Sequence, residues 1–318
     1  MDKYTFRSRR QQRGLALITA VLVVAIVATV ATTLALGEQV WFRQAQNMTD
    51  RAQAISLRQG ALNYAAILLA RDDANIDHLG ELWAKPLPPL PVEDGMIAFA
   101  VSDAQGLFNL NNVVQAGQPN GPNMEMFRRL LISLSLDPGL SEALRDWLDP
   151  DSTPQGGAED TEYLSLPQPY RAANQPLQSV DELRLVKGFS AKTVEKLRPY
   201  VTALPGSTTV NINTAPDQVL AALCTNLSAA ALKPLIDSRV TQPFKSPGEF
   251  TSRLPSCTLA ATDQHNVKTG FFLVTIDIRY GRLQRQTLGL IKRTAGKATV
   301  EWHQLPPLKL EADPDAKT

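Results

Sequence analysis

Six carboxylates crowd into one short stretch: Asp146, Asp149, Asp151, Glu159, Asp160 and Glu162, with no Lys or Arg among them. Gly156-Gly157 and two prolines, Pro150 and Pro154, fold the acidic ends of this stretch towards each other. Converging carboxylates repel unless a cation lies between them, and hard oxygen ligands with nearby carbonyls suit calcium. Asp149 and Asp151 repeat the alternating ligand spacing of calcium loops, although the EF-hand pattern is absent. The rival chemistry is a carboxylate pair for hydrolysis, which needs a general acid and a pocket. His78, His265 and His303 are the only histidines and none is beside this loop, so hydrolysis gains little support. A solvated acidic loop is the bland alternative.

The two cysteines are Cys224 and Cys257. In an oxidising compartment an isolated pair bonds, whereas in the cytosol two reduced core cysteines are expected. No second pair or Cys-rich spacing exists, so a zinc site is not indicated.

The element that decides the compartment is Leu15 to Leu36, which holds 22 residues without a charge, a Gly or a Pro. As a helix it spans ~33 Å, about the hydrocarbon thickness of a bilayer. Before it, Lys3, Arg7, Arg9, Arg10 and Arg13 face a single acid, Asp2, and such a leader stays on the cytoplasmic side. The body would then lie outside the cytoplasmic membrane, which favours the disulfide. In a secretory signal the cleavage site follows the apolar run, but here Gly14 precedes it. Cleavage after Gly14 keeps the apolar helix as the mature N-terminus; a signal anchor with no processing is the alternative. With a basic leader and a formal net charge of +1, the body is slightly acidic and has no bulk affinity for nucleic acid.

Beyond Gly37 the apolar residues Val40, Trp41, Ala45, Met48, Ala52, Ile55, Leu62, Ala66 and Leu69 recur at threes and fours. One helix from about 15 to about 70 is expected, membrane-embedded first and packed on a soluble head second, with Gly60 as its weak point. Residues 72–91 read as a loop because of four prolines, Pro86, Pro88, Pro89 and Pro91. Met96 to Asp103 and Leu107 to Leu110 read as a hairpin turning at Asp103–Gly106. Thr269–Arg279, Leu283–Arg293 and Ala298–Gln304 read as three further strands. Sheet segments at both ends of the body enclose a long helical stretch, so an α-rich insertion in an antiparallel sheet is expected.

The middle repeats itself. Phe108-Asn109-Leu110-Asn111-Asn112 returns as Val210-Asn211-Ile212-Asn213-Thr214, and Ser179…Glu182 returns as Ser246…Glu249, both with capping-box form. Val186 to Ser190 followed by a helix at Thr193–Tyr200 has the form of a helix-hairpin-helix turn. Such turns hold DNA phosphates, but one Gly with Lys187 and Lys192 is thin chemistry, and a structural hairpin is the better reading.

Taken together, these motifs resemble a known family. Gly14 followed by Leu-Ala-Leu-Ile and an apolar helix looks like the leader of type IV prepilins and pseudopilins. With the Gln105–Asn112 segment, the Trp147–Tyr163 acidic loop and Val210–Pro216, the chain resembles the K-type minor pseudopilins, general secretion pathway protein K of type II secretion. The resemblance implies an α+β fold: a long N-terminal membrane helix and a pilin-like antiparallel sheet head with a large α-helical domain inserted between its strands. The implied units are a prepilin leader (1–14), a transmembrane half-helix (15–36), its periplasmic half (37–72), the sheet (92–114 and 266–305), the insert (115–265) and a flexible tail (306–318).

The resemblance further implies cutting between Gly14 and Leu15 by a prepilin peptidase and methylation of the new Leu15 amine. Most pilin-class subunits carry Glu five residues after the cut; Thr19 stands there in this chain, as expected of a K-type unit at a filament tip. Implied calcium ligands are Asp149, Asp151, Glu159 and Asp160, and the implied disulfide is Cys224–Cys257. Implied partners are the other minor pseudopilins, the major pseudopilin, the inner-membrane secretion platform and membrane lipid, with no nucleic acid and no enzymatic activity. The chain would sit in the bacterial inner membrane, single-pass, with its N-terminus cytoplasmic and its head periplasmic, starting or capping a pseudopilus that helps export folded proteins. A membrane-anchored helix-hairpin-helix DNA-binding protein of an uptake system is the alternative.

Overall fold

The computed structural model describes residues 10–227 and 229–304, so residues 1–9 of the expected leader and the tail at 306–318 lie outside it. Helix α1 runs unbroken from Arg10 to Ala70, a 61-residue rod of ~90 Å that passes through Gly60 without interruption. Thr19, Thr29, Thr32 and Thr33 each donate their hydroxyl to a carbonyl three or four residues back. The apolar half therefore leaves none of these donors unpaired, as a lipid-facing surface requires.

After α1 come β1 (Leu90–Val92) and β2 (Gly95–Asp103). The chain then leaves the sheet for a long excursion. Its elements are β3 (Phe108–Asn109), the tight pair β4 (Val114–Gln115) and β5 (Gln118–Pro119), α2 (Gly121–Ser133), α3 (Leu140–Leu148), α4 (Asp160–Tyr163) and α5 (Ala191–Leu197). There follow β6 (Val201–Thr202), β7 (Val210–Asn211), α6 (Asp217–Leu223), α7 (Ala229–Arg239), α8 (Pro247–Arg253) and β8 (His265–Asn266). The chain returns as β9 (Phe271–Tyr280), β10 (Leu283–Thr294) and β11 (Lys297–Gln304). The sheet order is β1-β2-β9-β10-β11, antiparallel throughout, so β2 and β9 lie side by side and enclose the whole helical insert.

The three C-terminal strands form as their β-branched and aromatic composition predicts. The expected hairpin between Met96–Asp103 and Leu107–Leu110 does not. β2 is already paired with β9, from Gly95 opposite Tyr280 to Asp103 opposite Phe272. Phe108 instead turns into the insert, where β3 pairs in parallel with β6 and the ring stacks on Phe127 at 5.5 Å. A short alternating run identifies a strand without identifying its partner.

One face of the sheet receives α1. Ala54, Ala61, Leu62, Ala65 and Leu69 bury against Ile97, Phe99, Phe272, Val274, Ile276 and Ile291. Close approach depends on Gly289, where a Cβ would stand 2.5 Å from a Leu62 methyl. Val40, Trp41, Met48 and Ile55 share the helical spacing expected to pack on the head, yet all four are exposed, Trp41 at 74%. The head grips α1 only from about Asp50 onwards, and the stretch before it stands bare.

A second core lies inside the insert. Phe108, Leu110, Phe127, Leu130, Leu144, Trp147, Val219 and Phe244 are among its fully or nearly fully buried members. Cys224 and Cys257 are bonded, tying the end of α6 to the segment after α8. Beside the bond, the Thr225 N–H donates to the Thr258 carbonyl at 2.8 Å.

A polar clamp closes the neck where the insert joins the sheet. Asp103, at the exit, accepts from the Thr214 and Thr269 hydroxyls (both 2.6 Å), Asn211 Nδ2 and the Gln105 N–H (both 2.7 Å). Asp77 accepts from the Thr269 N–H and from the Arg293 guanidinium, which also reaches Asp72. Burial pushes Asp77 up to about 6, against the pull of Thr269 and Arg293.

Candidate metal centre

Helix α3 sets the site. Trp147 faces inward and meets the Tyr163 ring edge-on at 5.1 Å, which fixes the rotation of α3 and sends Asp146 and Asp149 towards the following loop. Asp146 Oδ2 accepts from the N–H groups of Gln155 (2.9 Å) and Gly157 (2.8 Å), folding that loop over the C-terminal end of α3. Arg145 supports the fold from behind, donating to Asp146 Oδ1 at 2.6 Å and to the Gln155 carbonyl. Gly157 has no room for a side chain, since a Cβ would lie 2.6 Å from the Ala143 Cα. Asp146 is thus occupied in holding the loop.

That fold brings three carboxylates together. Asp149, Asp151 and Glu159 each offer an oxygen, and these lie within 4.8 Å of one another. Asp149 is 1% exposed and Glu159 4%, and neither oxygen of either carboxylate has a hydrogen-bond partner. The nearest cation, the Arg145 guanidinium, stays 3.9 Å from Asp149 and is engaged with Asp146. Burial pushes Asp149 up to about 6, reinforced by the charges of Asp151 and Asp146 and opposed by Arg145. Burial likewise pushes Glu159 up to about 7, with Asp149, Asp146 and Asp151 adding to it. Leaving buried carboxylates both ionised and unpaired costs several kcal/mol, and a hard divalent cation removes that cost. The donor set fits calcium: it is all oxygen, with no His or Cys near it.

Asp160, expected in the same set, is turned elsewhere. Its carboxylate accepts from Arg171 at 2.8 Å and from the Ala172 N–H at 3.0 Å. Asn174 is a residue the sequence reading missed. Its Nδ2 donates to the Asp151 carbonyl at 3.2 Å, and its Oδ1 is buried without a partner, adding a neutral oxygen beside the loop. Its only distinguishing sign is a left-handed backbone with φ 45°, which is not legible in composition.

A second acidic group, Asp72, Asp77 and Glu81, already has its cation in Arg293. Glu81 is further satisfied by Trp83 Nε1 at 2.6 Å and the His78 N–H at 3.0 Å. The helix-hairpin-helix-like turn lies at the surface, with Lys187, Gly188 and Ser190 exposed, but it rests on α3 and its Lys187 is engaged within the chain. A Cβ at Gly188 would meet a Leu140 methyl at 2.8 Å, and Lys187 is paired with Glu162 at 2.8 Å.

The fold and the loop have close relatives. The family described as type II secretion system (T2SS), protein K, matches residues 106–206 and again residues 210–268. Type II secretion system protein K of Pseudomonas aeruginosa is 35% identical over 301 residues, covering 90% of each chain. The chain belongs to the type II secretion system protein K family. The Klebsiella pneumoniae member is 34% identical over 303 residues, covering 89% of this chain and 93% of that one. A chain in the crystal structure of the GspK-GspI-GspJ complex from the enterotoxigenic Escherichia coli type 2 secretion system superposes with a TM-score of 0.74. It is 27% identical and covers 83% of this chain and 99% of its own. Like the family, this chain is a structural, non-enzymatic pseudopilin with a long apolar N-terminal helix and an antiparallel sheet holding a helical insert.

Proposed function

We propose that the chain is the minor pseudopilin that joins GspI- and GspJ-type subunits at the tip of a type II secretion pseudopilus. The observation that carries this reading is the bare stretch of α1, where Val40, Trp41, Phe42 and Met48 are exposed and, among the described residues, nothing covers them. Such a stripe on a helix that continues an apolar span is a surface for other helices. The relative found as a GspK-GspI-GspJ complex supports the choice of partners.

In this reading residues 1–14 are a leader that prepilin peptidase removes between Gly14 and Leu15, and residues 15–36 anchor the chain in the inner membrane with the head in the periplasm. Thr19 donates its hydroxyl to Leu15 and Ala16 carbonyls, so this position spends its polarity within its own helix. A subunit so built offers no carboxylate to a neighbour's amine, which suits the terminal place. Calcium held by Asp149, Asp151 and Glu159 supplies the charge that lets the loop close over α3. The other minor pseudopilins, the major pseudopilin and the secretion platform complete the assembly, which helps move folded proteins through the outer membrane.

The test is co-expression of the full chain with the GspI- and GspJ-type subunits of the same system, followed by co-purification and mass measurement. The reading expects a ternary complex and a mature chain beginning at Leu15, with Gly14→Val left unprocessed. A mature chain beginning beyond Leu36, or one that retains neither subunit, refutes it.

A further inference from the structure

α1 rests on the sheet with two unlike flanks. On the β1–β2 side the groove is apolar and of 560 Å³, with Leu57, Ala61 and Tyr64 facing Leu90, Ile97 and Phe99. On the opposite side a groove of 270 Å³ runs between α1 and the β9–β10 hairpin, lined by Arg51, Arg58 and Arg285 over Ile278 and Leu283. Arg51 and Arg58 are two helical turns apart and so stand one above the other, while Arg285 faces them from β10.

Among the described residues, none of these three arginines has a carboxylate within the 4.0 Å of an ion pair. Other arginines divide: Arg128 pairs with Glu142, Arg145 with Asp146, Arg198 with Asp181 and Arg293 with Asp77, whereas Arg129 and Arg239 reach only backbone carbonyls, so what sets Arg51, Arg58 and Arg285 apart is that three such groups share one groove. The Nε of Arg58 is moreover buried without a hydrogen-bond partner. Asp50, the neighbouring acid on α1, is turned to the hairpin tip, where a Cβ at Gly281 would lie 2.6 Å from its Oδ2. Three guanidinium groups around an apolar floor lack their counter-charge, and guanidinium forks match carboxylates two bonds at a time.

We propose that this groove docks a carboxylate-bearing segment of a neighbouring pseudopilin, with Asp or Glu side chains entering between Arg51, Arg58 and Arg285. The site deepens the assembly role inferred above and rests on it. Arg51 follows Leu36 by ~22 Å of helix, so phosphates of the headgroup layer, which adds only ~5–8 Å to the hydrocarbon core on each side, do not reach it. The apolar flank lies across the helix, so the two grooves offer different chemistry at one height of the rod.

The experiment uses the full-length chain co-expressed with GspI- and GspJ-type subunits, purified at increasing NaCl. The triple variant Arg51→Glu, Arg58→Glu, Arg285→Glu should lose at least tenfold of one retained subunit, while the triple Lys variant, which keeps the charge without the two-bond fork, loses less of it. In the Lys variant, carbodiimide coupling followed by peptide mapping should join a substituted position to an Asp or Glu of that subunit. Retention of both subunits by the Glu variant at the unaltered level overturns the groove and leaves the assembly role intact. Should the Glu variant fail to fold, the coupling decides: links confined to the chain itself overturn the proposal. Failure of the unaltered chain to retain either subunit overturns the proposal together with the role it rests on.

Discussion

Asn213 grips the backbone of Phe244 from both sides, donating to its carbonyl at 3.0 Å and accepting from its N–H at 2.8 Å. Asn111 holds Leu177 in the same way, at 2.9 and 2.8 Å. The correspondence continues outwards. Asn109 and Asn211 each accept from the N–H two residues on, and Glu182 and Glu249 each accept from the N–H of the residue after the gripped one. The insert is therefore a duplicated unit, in which an Asn two residues beyond the Asn of a parallel two-residue ladder fixes the entry of a turn that a Glu closes from the other side. Replacing Asn213 by Ala leaves a buried N–H and carbonyl unpaired, and the loss should be ~2–4 kcal/mol in denaturant unfolding of the whole chain. Asn111→Ala should cost a similar amount.

Calcium should raise the unfolding temperature of the chain, and a chelator should lower it again. The Asp149→Asn, Glu159→Gln variant should melt at one temperature with or without calcium. Without the ion this variant should be the more stable of the two at neutral pH, because it lacks the buried repulsion. Calorimetry with and without chelator reads both effects.

The pH dependence has a defined sign. Asp149 is raised to about 6 and Glu159 to about 7, so without calcium the folded state binds more protons than the unfolded chain. Their stabilising contribution is complete below the unfolded carboxylate values, near ~4, and is lost as the pH climbs through about 6 to 7. Chelated chain should thus gain stability on going from pH 7.5 to 5 relative to the Asn/Gln variant, and lose calcium affinity over the same range. Equal pH slopes for the two chains would contradict the arrangement.

Gly157→Ala drives a methyl into the backbone of α3, 2.6 Å from the Ala143 Cα. The loop must lift, and Asp151 and Glu159 separate from Asp149. Calcium affinity should fall at least tenfold by titration calorimetry, while far-UV circular dichroism stays unchanged.

Cys224 and Cys257 lie 33 residues apart in sequence. Replacing both by Ala should cost ~2–4 kcal/mol by releasing loop entropy into the unfolded state. Denaturant midpoints measured with and without reductant check this, and the Ala variant should be indifferent to reductant.

What the sequence made legible follows the reach of each signal. Apolar period showed α1, and β-branched and aromatic composition showed β9, β10 and β11, because both signals are complete within one element. The echo between Asn109–Asn112 and Asn211–Thr214 was visible, but its purpose was not, since the gripped residues Leu177 and Phe244 lie far along the chain. The expected hairpin at Gly106 failed for the same reason: the partner of Phe108 is Val201. Within the acidic loop, composition could not separate Asp160, which Arg171 and Ala172 hold, from Glu159, which nothing holds. The Asp77–Arg293 pair spans 216 residues and left no local trace.

The neck has a mechanical consequence. β2 ends at Asp103 and β9 begins at Phe271, at the same end of the sheet, with Asp103 opposite Phe272. A load on the insert therefore pulls or pushes both strands in one direction, and the ladder between them feels little sliding stress. The stress passes instead to the ten-residue β9–β10 seam and to the bed of α1, where many bonds resist shear in parallel. The insert can bear thrust without unzipping the head that carries it.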